Sequence, residues 1–253
     1  MKYIYGPVPS WRLGRSLGVD LISTEKVCSF DCIYCQLGET ATKTTEREQF
    51  VPTDDVISEL EQVLPKCKAD IITFSGRGEP TLASNLREVA EAIKGITDLE
   101  TAILTNSSLI WQKDVQKDLG KIDFVVAKLD AHNEDLFKRI NKPAEGITLE
   151  KIISGIKEFK SNYNGKLALQ IMFMGLNKPY ARELAEISRE IGPDEVQLDT
   201  PLRPCGVKPL GREEMEKIEK EFHGLNTKSV YIMEKPDVDI IDMEKTLERR
   251  PEI

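Results

Sequence analysis

Three cysteines stand within eight positions, Cys28, Cys32 and Cys35, in the spacing C-x3-C-x2-C. Thiolates from one tight loop can fill three corners of a metal site. The chain has five cysteines in all, the others being Cys67 and Cys205. An odd number with three clustered does not suit a disulfide framework, and in a reducing compartment clustered thiols more often hold metal. A closed structural zinc site takes four ligands. The two histidines, His132 and His223, are both remote in sequence from the triad. A [4Fe–4S] cluster can be held by three cysteines with one iron left open, although common ferredoxin patterns use four. Spacing alone leaves a cluster, a zinc site and chance clustering open.

A second stretch with chemical content is "FSGRGEPTL", residues 74–82. Gly76 and Gly78 allow a sharp turn or a close backbone approach to a ligand. Glu79 is placed to accept hydrogen bonds from a ligand amino group, and Pro80 stiffens the exit. Alone, the segment is equally a turn with a solvated glutamate.

Further candidates end later apolar runs. Asn106 and Ser107 suit either ligand contact or capping of the next helix. Lys128 and Asp130 alternate with apolar neighbours in "AKLDA", so both side chains should face one interior surface, where they need each other or a ligand. Gln170 and Met172 share a face, with core packing the expected role of Met172. Asp199, Arg203 and Cys205 in "QLDTPLRPCG" could meet a substrate; Arg203 suits a carboxylate or phosphate. Arg12 and Arg15, in the glycine- and proline-rich "YGPVPSWRLGRSLG", are expected either at a substrate mouth or on a rigid arm.

Short apolar runs alternate with amphipathic stretches and must position these groups. Strands are expected at 18–23, 70–76, 101–106, 123–130, 166–174 and 195–200, with a peripheral one at 229–233. Helices are expected at 53–64, 86–93, 111–119, 133–140, 148–160, 181–191 and 212–222, and a last helix at 243–253. Such alternation gives parallel strands joined by crossovers, and places functional groups at the strands' carboxyl ends. Cys67 falls at the opposite end and reads as structural. Periodicity does not separate an open sheet from a barrel or partial barrel.

The 253 residues, with no linker or repeat, read as one domain: an arm and first strand to residue 26, a cysteine loop at 27–37, repeats over 38–222 and an extension from 223. The net charge of −8 disfavours nucleic acid, so tRNA is a partner only through a local basic patch. No run of 18 apolar residues appears and the start lacks a signal-peptide pattern, so the expectation is a cytoplasmic protein with no membrane partner.

The cysteine loop with its aromatic Tyr34 before Cys35, followed by a strand ending in Gly-x-Gly-Glu-Pro, resembles the radical S-adenosylmethionine (SAM) superfamily. The N-terminal pattern resembles the shorter relatives of archaeal wyosine-forming tRNA enzymes, although no cysteine precedes Cys28 to hold a second cluster. The resemblance implies a partial (β/α)6 barrel of the TIM type. It implies a [4Fe–4S] cluster on Cys28, Cys32 and Cys35, whose open iron is chelated by SAM. One electron then cleaves SAM to a 5′-deoxyadenosyl radical, which takes hydrogen from a substrate. It further implies that Gly76, Gly78 and Glu79 hold the methionine part, with Arg77 either near its carboxylate or pointing to solvent. Tyr34 would lie near the adenine, and Asn106, Ser107, Lys128, Asp130 and Gln170 would contact SAM. Asp199, Arg203 and Cys205 would serve the substrate. A flavodoxin or ferredoxin would supply electrons. The alternatives are a glycyl-radical activating enzyme and, in another class, a non-catalytic iron–sulfur electron carrier or redox sensor.

Overall fold

A computed structural model describes residues 1–22 and 25–251. Along the chain come β1 (Ile4–Ser10), β2 (Gly14–Val19), β3 (Val27–Cys28), β4 (Thr42–Lys43), α1 (Thr53–Val63), β5 (Ile71–Phe74), α2 (Leu86–Ile96), β6 (Glu100–Thr105) and α3 (Lys113–Leu119). There follow β7 (Phe124–Lys128), α4 (Glu134–Asn141), α5 (Leu149–Asn162), β8 (Lys166–Met172), α6 (Ala181–Ile191), β9 (Glu195–Asp199), α7 (Arg212–Glu221), β10 (Thr227–Ser229) and α8 (Met243–Leu247).

The main sheet runs β1-β2-β5-β6-β7-β8-β9-β10, and β3 and β4 form a separate short pair. From β2 onward all neighbours are parallel, as βα alternation requires. The sheet curls into a half-barrel, so that β1 and β2 at one side and β9 at the other line a common cavity. A strand such as β5, Ile-Ile-Thr-Phe, is buried along its whole length, as expected where both faces of a parallel sheet are covered. The covering helices bury one stripe each. In α1 this is Val56, Leu60 and Val63, spaced four and three residues apart. Each such side chain, removed from water, contributes about 1.5–3 kcal/mol.

The N-terminus differs from the sequence expectation. The first parallel strand is Gly14–Val19 rather than 18–23, and Ser23 lies outside the described residues. Before it, β1 pairs antiparallel with β2, with a register shift between Tyr5 and Val8. Pro7 and Pro9 lie within β1. They read as loop residues, but an edge strand tolerates a missing N–H. Gly18 lets the hairpin close: a Cβ there would stand 2.1 Å from the Tyr5 ring. The peripheral strand is Thr227–Ser229 rather than 229–233, and the last helix is shorter than expected, with residues 252 and 253 outside the described ones. No described helix is long and apolar enough to cross a membrane.

Candidate active site at the carboxyl ends of the strands

The cysteine loop follows β2 and is fixed by backbone hydrogen bonds to the end of α4. Asp31 N–H donates to Asn141 C=O (3.0 Å), Ile33 N–H to Ile140 C=O (3.0 Å), and Ala144 N–H to Ser29 C=O (2.8 Å). Phe30 packs edge-on against Phe137, with centroids 5.4 Å apart. Two sulfurs receive N–H donors. Cys28 Sγ accepts from Phe30 N and Asn106 Nδ2, both at 3.5 Å, and Cys32 Sγ accepts from Asn141 Nδ2 at 3.4 Å.

Burial pushes the Cys28 thiol well above its ordinary range and the Cys32 thiol up to about 11. Such thiols ionise only when a cation takes the proton's place, as in metal binding. Among the described residues, no group of three or more His, Cys, Asp or Glu side chains is placed to hold a single metal ion. A cubane asks instead for one thiolate per iron. Three thiols on one anchored loop, with N–H groups directed at two of the sulfurs, fit that group.

The Gly-Arg-Gly-Glu-Pro turn packs directly on this loop. Glu79 N–H donates to Val27 C=O at 3.1 Å. A Cβ on Gly78 would stand 1.8 Å from the same oxygen, and one on Gly76 would stand 2.2 Å from Asp20 Cγ. Both glycines thus admit protein neighbours. The Glu79 carboxylate, 2% exposed, accepts from Thr81 N (3.0 Å), Thr81 Oγ1 (2.7 Å), Thr105 Oγ1 (2.7 Å) and Asn106 N (2.6 Å). Burial pushes its carboxyl up against these bonds. These bonds tie the turn to the end of β6. Arg77 turns to the C-terminal helix and pairs with Glu248.

Other strand ends divide into struts and cavity walls. Asn106 bonds the Ser29 hydroxyl (2.9 Å) as well as Cys28 Sγ. Ser107 has a positive φ of 68°, uncommon for a non-glycine, and its buried hydroxyl finds no partner. Neither caps α3, whose preceding residue is Gln112. Asp130 accepts from the Tyr34 hydroxyl, from Asn141 Nδ2 (2.9 Å) and from Met172 N (2.8 Å). Its distance to Lys128 Nζ is 3.9 Å, so the mutual ion pair is a long one.

A cavity of about 290 Å³ fills the lumen above these struts. Tyr34 and Cys35 lie in its wall, together with Lys128, Gln170, Asp199 and Arg203. Lys128 Nζ sits 5.1 Å from the Tyr34 ring centroid and donates to Gln170 Oε1 (3.1 Å). Gln170 Nε2 donates to Asp199 Oδ2 (2.9 Å). A polar line therefore crosses the lumen from the cysteine loop to β9. Met172 also lines the cavity, against the expectation of plain core packing. Cys205 does not line it; its S–H donates to Val207 C=O (3.3 Å) within its own loop.

Arg12, in the turn before β2, brings its guanidinium into this wall, 3.9 Å from Asp199 Oδ2. Arg15 instead pairs with Asp70 outside the cavity. Two residues passed over in the sequence lock the site's frame. Arg249, 1% exposed, donates from Nε to buried Asp20 (2.8 Å) and from Nη2 to Lys2 C=O (2.6 Å). Both look like ordinary charged residues in sequence, and only the fold makes them partners across 229 positions.

The model of the radical SAM superfamily matches residues 22–197. A UPF0026 protein of Synechocystis sp. is 44% identical over 211 residues, covering 83% of this chain and 78% of the relative. A protein named "Probable GTP 3′,8-cyclase" from Metallosphaera sedula is 30% identical over 228 residues, covering 86% of this chain and 67% of the relative. Among solved structures, SuiB of Streptococcus suis bound to S-adenosylmethionine superposes with a TM-score of 0.67 at 18% identity, over 86% of this chain and 50% of that one. Archaeal TYW1 superposes with a TM-score of 0.54 at 16% identity, over 84% and 72%. At these identities the structural likeness concerns the fold, and this chain spans about half of SuiB.

Proposed function

Because this chain belongs to the radical SAM superfamily, whose members use a [4Fe–4S] cluster and SAM, we propose that it generates a 5′-deoxyadenosyl radical to act on a small molecule held in the lumen. The observation that carries this reading is one shared wall: Cys35 and Tyr34 face the same cavity as Asp199 and Arg203. Cys28, Cys32 and Cys35 hold the cluster. When bound and reduced, the cluster supplies the electron that cleaves SAM.

The remaining roles belong to the chain's own side chains. Asn106 and Asn141 orient the sulfurs. The turn at 76–79, held by Glu79, sets the floor beside the loop. Tyr34, Lys128 and Gln170 line the space for SAM, and Asp199 and Arg203 face the substrate. The residues act as one radical SAM domain. Five free cysteines suit a reducing compartment such as the cytoplasm, where a flavodoxin or ferredoxin would supply the electron.

A small molecule is favoured over tRNA or a glycyl-radical partner protein by two points. The cavity lies behind the β1–β2 hairpin and is of small-molecule size. The Metallosphaera relative is named for a free nucleotide substrate. Adding SAM to the anaerobically reconstituted, dithionite-reduced protein should change the electron paramagnetic resonance spectrum of the cluster. An unchanged spectrum would favour a non-catalytic electron carrier.

A further inference from the structure

In a chain of net charge −8, the lumen wall carries five cations, Arg12, Lys128, Arg203, Lys235 and Arg250, against one carboxylate, Asp199. Lys128 is engaged by Gln170. The three arginines come from three separate segments: the hairpin turn, the loop after β9 and the C-terminal stretch.

Arg12 is the least satisfied. Its Nε and Nη1 are buried and hydrogen-bond to nothing, and its nearest aromatic neighbour, Trp11, lies 5.3 Å from the guanidinium. Asp199 does not meet this need: at 3.9 Å it is beyond hydrogen-bond reach. Its oxygens accept instead from Gln170 Nε2 and Thr200 N, each at 2.9 Å. Arg203 donates from Nη1 to Gln36 Oε1 (2.9 Å), and Arg250 from Nη1 to Arg249 C=O (2.8 Å). Burial, then repulsion from Arg250 and Arg12, lowers Arg203 to about 10. Cations assembled at such mutual cost point to an anion between them.

The charge excess selects the anion. One carboxylate offsets a single cation. A phosphate monoester carries about −1.5 to −2 and offers three acceptor oxygens to guanidinium forks. Resting on the reading of this cavity as the substrate site, we infer that the substrate is a phosphate-bearing small molecule and that Arg12, Arg203 and Arg250 seat its phosphate.

The test is calorimetric titration and thermal melting of the full chain with pyrophosphate, with succinate at matched ionic strength as the carboxylate probe. Pyrophosphate should bind at least tenfold more tightly than succinate, and should still bind in the presence of saturating SAM. Arg12→Met should weaken it at least tenfold without lowering the melting temperature of the ligand-free protein, because it removes unpaired buried donors. Arg203→Gln, a second variant should the first misfold, should weaken it similarly. Wild-type affinity in folded variants, tighter succinate binding, competition with SAM, or no binding would each overturn the assignment. None of these readouts needs radical chemistry. Pyrophosphate binding without 5′-deoxyadenosine formation would count against the proposed function alone, and the reverse against the phosphate seat alone.

Discussion

The backbone N–H of Glu79 donates to the carbonyl of Val27, 3.1 Å away and one residue before the first cysteine of the triad. The same carbonyl would lie 1.8 Å from a Cβ on Gly78. The two motifs are therefore one built object: the turn is the bed on which the cluster loop rests. Gly78, which in the sequence allows either a sharp turn or a ligand's close approach, admits the neighbouring strand.

Gly78→Ala should accordingly act on the cluster loop first. The new methyl must displace β3, at a cost of about 1–3 kcal/mol or more. Thermal melting and iron content per chain report it. A variant with full iron and unchanged melting would mean that the loop yields without cost.

Asn106→Ala removes the donor to Cys28 Sγ, while Ser29 Oγ keeps its contact with Ser108 Oγ at 2.6 Å. Hydrogen bonds to sulfur favour the reduced, more negative cluster, so their loss should lower its reduction potential. Redox titration of the reconstituted variant measures this, and a potential equal to or above wild type would show that the contact is idle.

Arg249→Met removes the buried guanidinium that donates to Asp20 Oδ2. Removing one side of a buried pair typically costs about 3–5 kcal/mol. Because Arg249 also holds Lys2 C=O, the N- and C-terminal segments should loosen together. Urea denaturation gives the loss, and hydrogen exchange at residues 2–6 should rise with it.

Glu195, 1% exposed, accepts from Lys166 (2.9 Å), from Gln197 (2.8 Å) and, as an ion pair, from Lys228 (3.0 Å). Burial raises its carboxyl, but these partners outweigh burial and leave it below its ordinary value. Its folded pKa lies below the unfolded one, so its contribution is present above about pH 4.5 and is lost as pH falls through the folded value. The stability gap between wild type and Glu195→Gln should therefore be widest near neutrality and close on acidification. A gap that widens in acid would reverse the sign of this coupling.

Much of the fold was legible because parallel strands buried on both faces leave apolar runs. Ile71–Phe74 and Leu167–Ile171 are of this kind, and the helices between them show one buried stripe. The hairpin was not, because Pro7, Pro9 and Gly6 hide β1, whose edge position tolerates the prolines, and Gly14 and Gly18 break the apolar run of β2. At the site, the cysteine spacing is local and can be read directly. The partners of Glu79, Arg77 and Asp130 lie mostly on loops, helices and strand ends far away in sequence. A side chain that faces the right end of a barrel can be a strut as readily as a ligand contact, and residue type does not tell the two apart.

The most direct test of the account is 5′-deoxyadenosine formation by the anaerobically reconstituted protein with dithionite and SAM, beside a Cys32→Ala control. The account predicts product from the wild type and none above background from the control. No product from a wild type that holds its full complement of iron and sulfide, across several reductants, would contradict it.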